Sequence, residues 1–112
     1  MAVRSTYQVN YVENADMSSD VAGDSLNITY LEVISFQFVW TGTPTGVLDV
    51  ELSNDGITWT PALIDTTALD PAGSAGSAII EVETASKFYR AAYTATSGSG
   101  SLSVHYSAKS LG

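Results

Sequence analysis

The chain of 112 residues has no cysteine, one histidine and only four basic residues, Arg4, Lys87, Arg90 and Lys109, against twelve acids. Each shortage removes a class of chemistry. Without cysteine there is no disulfide framework, no thiol nucleophile and no thiolate metal site. A net charge of −8 with four scattered bases gives no footprint for phosphates, which excludes a nucleic-acid partner and an anionic membrane surface. No run of about 18 apolar residues occurs, so no membrane-spanning helix is expected. The stretch after Arg4 also lacks the apolar core of a secretory signal. Charged residues make up only 14% of the chain and hydrophobic ones 45%, too apolar a balance for a disordered acidic tail. The polar surface must then be Ser, Thr, Asn, Gln and Gly, which suits protein or sugar contacts. The length fits a single domain, 1–112, burying about two-thirds of the surface its unfolded chain exposes.

Helical periodicity is nearly missing, and strict alternation takes its place. In STYQVNY, Tyr7, Val9 and Tyr11 share one face; in SLNITY, Leu26, Ile28 and Tyr30 do. EVISFQFVW sets Ile34, Phe36, Phe38 and Trp40 opposite Ser35 and Gln37, and VLDVELS sets Leu48, Val50 and Leu52 opposite Asp49, Glu51 and Ser53. Ile80 and Val82 oppose Glu81 and Glu83, and the runs FYRAAYTA and SLSVHYSA follow. About seven to eight short, half-buried strands with Gly, Pro, Asp and Ser between them predict an all-β, antiparallel β-sandwich, jelly-roll-like in architecture.

Two connections read as hairpins. Ser53-Asn54-Asp55-Gly56 offers the positive φ of a tight turn. A two-residue Asp55-Gly56 turn pairs Leu52 with Trp59, and a four-residue turn pairs Leu52 with Ile57 and Val50 with Trp59. Either register places Trp59 in the core, making Asn54, Asp55, Gly56 and Trp59 a structural hairpin rather than a reactive loop. At the C-terminus, closure through Ser97–Gly100 would pair Ala95 with Leu102, Tyr93 with Val104 and Ala91 with Tyr106. Residues 12–24, with four acids and no base, and residues 65–77 read as long loops.

Candidate sites are few. Gly23-Asp24-Ser25-Leu26 spells the nucleophile motif of an esterase family, but the residue three before His105 is Leu102 rather than the Asp that family needs. His105, the sole histidine, falls on the face with Ser103 and Ser107, as a solvent-facing side chain does. Glu13, Asp16, Asp20 and Asp24 supply hard oxygen ligands for calcium but lack the spacing of a calcium loop, so a solvated acidic loop is expected. Asn27-Ile28-Thr29 is a glycosylation sequon. Neither Gly/Ser run is followed by the Lys and helix of a phosphate loop. No catalytic, metal or cofactor site is expected.

The run VWTGTPTGVLDVELSNDGITWTPA, a Gly/Ser loop, a strand and then FYRAAYTATSGSGSLSVHYSAK resembles a group of small β-sandwich structural proteins of bacteriophages. Phe36 to Lys109 carry the likeness. It implies a virion structural protein, capsid-associated or decorating the capsid or part of the tail, without enzymatic turnover. Such a protein works as a homo-oligomer with itself and other virion proteins. Discoidin-like carbohydrate-binding domains share the VE-x-SNDG-x-x-W hairpin and imply the alternative, a module binding a glycan or surface; this chain lacks their paired Cys. The strand faces carrying Ser35 and Gln37 beside Val33 and Val39, and Thr94 beside Ala92 and Phe88, are apolar enough to be contact surfaces.

Overall fold

The computed structural model describes residues 5–27, 32–61, 71, 73–83 and 86–110. All the regular structure there is antiparallel strand: β1 (Ser5–Asp16), β2 (Val21–Ala22), β3 (Leu26–Asn27), β4 (Val33–Gly42), β5 (Thr45–Ser53), β6 (Thr60–Pro61), β7 (Gly76–Glu83), β8 (Phe88–Ser97) and β9 (Gly100–Lys109). The first sheet has the order β1-β9-β4-β7, and the second β2-β8-β5-β6 with β3 beside β2 on the same edge of β8. β2 and β3 together occupy one strand position, so the pairs β1–β9, β2/β3–β8, β4–β7 and β5–β6 form one long antiparallel ribbon. Wrapped so that β9 lies beside β4 and β8 beside β5, that ribbon is a jelly roll of two Greek keys.

Alternation decides what lies between the sheets. Ile34, Phe36, Phe38 and Trp40 from β4, and Val82, Leu102, Val104 and Ala108 from its neighbours, meet Leu48, Val50, Tyr89, Ala91 and Tyr93 of the second sheet, all buried. The polar tips in this core are satisfied: Tyr93 Oη donates to Thr45 O at 2.7 Å and Trp40 Nε1 to Ser74 O at 2.7 Å. A buried indole or phenol needs such a partner.

Five expectations require correction. First, β8 and β9 are not a hairpin. Leu102 and Val104 pair with Trp40 and Phe38, and Tyr93 and Ala91 with Leu48 and Val50. Ser97–Gly100 crosses from one sheet to the other, so alternation is kept while the pairing partner changes. Second, β5 and β6 pair as Glu51↔Pro61 and Leu52↔Thr60, not through Trp59 or Ile57. Ile57 is 83% exposed and Trp59 half-buried, because Asp55 withdraws the intervening backbone from the ladder, as described below.

Third, residues 12–16 belong to β1 and Val21–Ala22 form β2. Met17 between them is fully buried, and its N–H donates to Gly100 O at 2.9 Å, so only short turns separate these elements. Fourth, the loop expected over 65–77 ends earlier, since β7 begins at Gly76; residues 62–70 lie outside the described residues, as do Arg4 and Ile28–Tyr30, the latter completing the sequon and the SLNITY strand. Fifth, Tyr7, Val9 and Tyr11 do not share a face. From Gln8 to Val12 β1 advances four residues while β9 advances two, and from Val12 to Ala15 three against two. Asn10 (φ 58) and Asn14 (φ 49) take left-handed conformations at these bulges, which asparagine tolerates better than most residues. The bulges leave Tyr7 and Val9 outside, while Tyr11 turns in against Phe36 and, edge-on at 5.4 Å, Tyr106.

Candidate functional site

The outer face of the first sheet holds a groove that combines exposure with missing charge, while Glu81 and Lys109 stand on the same face outside it. Register aligns Tyr7 of β1, Ser107 of β9, Ser35 of β4 and Glu81 of β7 in one row across the strands, and His105, Gln37 and Ile79 in the next. Tyr7, Val9 and Ile79 are 76%, 62% and 60% exposed. They wall a groove of about 300 Å³ whose floor is Ser35, Gln37, His105 and Ser107. No lining residue carries a formal charge, on a chain of net charge −8.

The β1 bulges shape this face. At each bulge one N–H turns onto an outward side chain of β9: Asn10 N–H donates to His105 Nδ1 at 2.8 Å, and Asn14 N–H to Ser103 Oγ at 3.2 Å. A neutral imidazole that accepts at Nδ1 carries its proton on Nε2. His105 therefore presents an oriented N–H donor, and its place beside Ser103 and Ser107 is the one alternation indicates. The residues Ser35 and Gln37 were legible from the sequence as this face. Tyr7 and Val9 were not, because the bulges reverse their direction; the asparagines at positions 10 and 14 are the only sequence signal for that reversal.

The Ser-Asn-Asp-Gly segment is a self-contained turn. Asp55 Oδ1 accepts the N–H groups of Ile57 and Thr58 and the hydroxyl of Ser53, each at 2.8 Å. Ser53 Oγ in turn accepts the N–H of Gly56 at 2.8 Å, and Gly56 holds φ at 75°. Those two backbone donors, and then the serine, hold the Asp55 carboxyl down to about 2. Asn54 Oδ1 accepts Lys87 N–H at 3.0 Å, tying the turn to the start of β8. Trp59 lies over Arg90 on the outer face of the second sheet. A hollow of about 450 Å³ beside the turn is lined by Ser53, Asn54, Asp55, Thr58 and Ser86 among others, and Asp55 there is already committed to the turn.

The remaining motifs have structural places. Gly23-Asp24-Ser25 is the interruption between β2 and β3, and Leu26 opens β3: Gly23 N–H donates to Ala91 O at 2.9 Å, and Tyr11 Oη donates to Asp24 O. Burial holds the Tyr11 phenol well above its ordinary range. Asp20 Oδ1 accepts Ala95 N–H at 2.8 Å and Asp16 Oδ1 accepts Ser18 N–H at 2.9 Å. Ser18's backbone and hydroxyl lower the Asp16 carboxyl. Among the described residues no three acidic or histidine side chains converge to hold a metal ion. The outer face of the second sheet bears charge on its two central strands. There Arg90 Nε donates to Glu51 at 2.7 Å, and partial burial raises the Asp49 carboxyl.

No family model matches the sequence, and no curated protein matches it. Solved structures do. The chain is similar to the PBSX exported protein XepA at 16% identity and a TM-score of 0.67, over 96% of this chain and 37% of that one. It is similar to the SPBc2 prophage-derived protein YomS at 8% identity and 0.58, over 98% and 96% of the two chains. A structure of infectious bursal disease virus, Gx strain, matches at 14% identity and 0.59, over 100% and 34%. The chain thus spans well under half of the XepA chain and of the viral one, and nearly all of YomS. At these identities the likeness is one of fold, and the fold is an antiparallel β-sandwich.

Proposed function

We propose that this chain is a non-enzymatic structural protein of a bacteriophage virion, capsid-associated or decorating the capsid, acting as one domain that assembles into a homo-oligomer. The uncharged groove on the outer face of the first sheet carries this reading. Three large apolar side chains stand exposed there around a neutral polar floor, whereas the central strands of the other sheet present Asp49, Glu51 and Arg90. Interface centres exclude charge in this way. Covering Tyr7, Val9 and Ile79 contributes roughly 3–6 kcal/mol before the costs of association. The fold likeness to two phage-derived proteins and a viral particle protein supports the same reading. Light scattering on the full chain, and co-purification with phage particles, test it: a stable multimer bound to particles is expected, and a monomer absent from particles overturns it.

One observation favours a second reading, a carbohydrate-binding or small receptor-binding module. The oriented Nε2–H of His105, with the Gln37 amide and the hydroxyls of Ser35 and Ser107, lies beside the Tyr7 ring, and such a set fits a neutral sugar. A monomer whose His105 and Gln37 resonances shift with a panel of neutral trisaccharides would put this reading first.

A further inference from the structure

Two open sheets have four edges, and among the described residues three of them are poor templates for further pairing. In the second sheet the described parts of the edge strands β2, β3 and β6 are two residues each, and that of β6 ends on a proline. In the first, β1 is broken by two bulges, at each of which one N–H turns back onto β9. Short strands and bulges are the devices that keep edges from pairing with other chains. The fourth edge, β7, has neither. It runs eight residues from Gly76 to Glu83 in unbroken register with β4, contains no proline, and has no described strand on its other side.

We propose that β7 is an assembly edge, pairing antiparallel with β7 of a second copy about a two-fold axis through Ile79. This rests on the reading of the chain as self-associating and specifies where the copies meet. The strand is complementary to its own reverse. Centred on Ile79, Gly76 faces Val82, Ser77 faces Glu81 and Ala78 faces Ile80, each pair occurring twice. Small residues meet large ones, a hydroxyl meets each Glu81 carboxylate, and no two Glu81 carboxylates meet. Centring on Glu81 instead would oppose like charges directly, which destabilises antiparallel pairs. The exposed Ile79 side chains meet at the axis on the outer face, and the two four-stranded sheets become one of eight.

Sedimentation of the full chain tests the register by charge. Ser77→Glu sets carboxylate against carboxylate at both symmetric positions and is expected to weaken association at least tenfold. Adding Glu81→Ser to it returns a hydroxyl opposite each carboxylate and is expected to restore association, with circular dichroism unchanged in both variants. Independently, Ile79→Cys should oxidise to a covalent dimer, since directly paired antiparallel positions lie about 4.5–5.5 Å apart at Cα, within disulfide reach. A multimer indifferent to Ser77→Glu, or one that Glu81→Ser fails to restore and Ile79→Cys fails to cross-link, overturns the edge proposal while leaving assembly through the sheet face standing. A wild-type monomer overturns both.

Discussion

The guanidinium carbon of Arg90 lies 4.3 Å from the centre of the Trp59 ring while its Nε donates to Glu51 at 2.7 Å. One cation thus serves a ring above it and a carboxylate beside it on the next strand, and Trp59 partly shields the pair from solvent. This arrangement makes Trp59 a cover for a polar contact. Trp59→Ala is expected to lose about 1–2 kcal/mol, the sum of a partly shielded cation–π contact and partial burial, where a core aromatic would lose about 3–5 kcal/mol. Arg90→Lys should lose a smaller amount, because an ammonium cannot match the planar stack and the carboxylate together. Urea unfolding measures both, and a loss above 3 kcal/mol for Trp59→Ala would mean the ring is core.

What the sequence showed and concealed follows one rule. Alternation reveals which side of a strand is buried, so Ile34, Phe36, Phe38, Leu48, Val50, Leu102 and Val104 were legible as core. It says nothing of which strand lies alongside. A Gly/Ser connection that folds back within one sheet and one that crosses to the other leave the same pattern, which is why Ser97–Gly100 read as a hairpin. Counting residues across the Asp55-Gly56 turn failed for a different reason. A single carboxylate oxygen collects the N–H groups of Ile57 and Thr58, so those residues leave the ladder and the count no longer sets the register. For the candidate site, the floor was readable and the Tyr7 wall was not, because two asparagines in left-handed conformations reverse the strand.

Asp55 supplies a pH dependence whose sign is fixed. Its carboxyl is held at about 2, against an ordinary 3.8, by bonds that only the folded chain makes. A depressed folded-state pKa stabilises the fold fully above the unfolded value, and that contribution is lost as pH falls from near 4 through about 2. Asp55→Asn keeps an acceptor oxygen but no charge. The variant should melt lower than wild type at pH 7 and converge with it at pH 2. Thermal melts between pH 2 and pH 7 check this, and parallel curves throughout would refute it. Asp16, also lowered, is present in both proteins and cancels from the comparison.

Two glycines with the same backbone conformation should respond differently to alanine. Gly56 has φ 75° and Gly98 φ 80°. A Cβ at Gly56 meets nothing closer than the Phe88 ring at 3.5 Å, whereas at Gly98 it falls 2.0 Å from Thr43 O. Gly56→Ala should therefore carry only the left-handed penalty, roughly 1–2 kcal/mol. Gly98→Ala adds a backbone clash that no rotamer relieves and should lose clearly more, or fail to fold. The Thr43 N–H donates to Ser99 O at 2.8 Å, so the two loops cannot separate without losing that bond. Equal losses at the two sites would mean the crossover loop is pliable.

Salt separates the forces of assembly. Each copy carries −8, so bringing copies together is opposed at long range, while the contact face of Tyr7, Val9, Gln37 and Ile79 is uncharged. Raising the ionic strength from about 0.1 to 1 M shortens the screening length from roughly 10 to 3 Å, which weakens the repulsion and leaves apolar burial in place. The assembly mass at tens of micromolar should hold or rise with salt. Tyr7→Lys sharpens the test, because it lowers the net negative charge of each copy while placing a cation on the apolar face. If attraction between charges held the copies together, or if net repulsion alone limited them, this substitution would strengthen association. If the face is what associates, it should weaken it, since an ammonium must be stripped of water among the uncharged groove side chains. A lower assembly mass for Tyr7→Lys at both salt concentrations is the expected result, and a higher one at either would remove the first sheet's outer face from the interface.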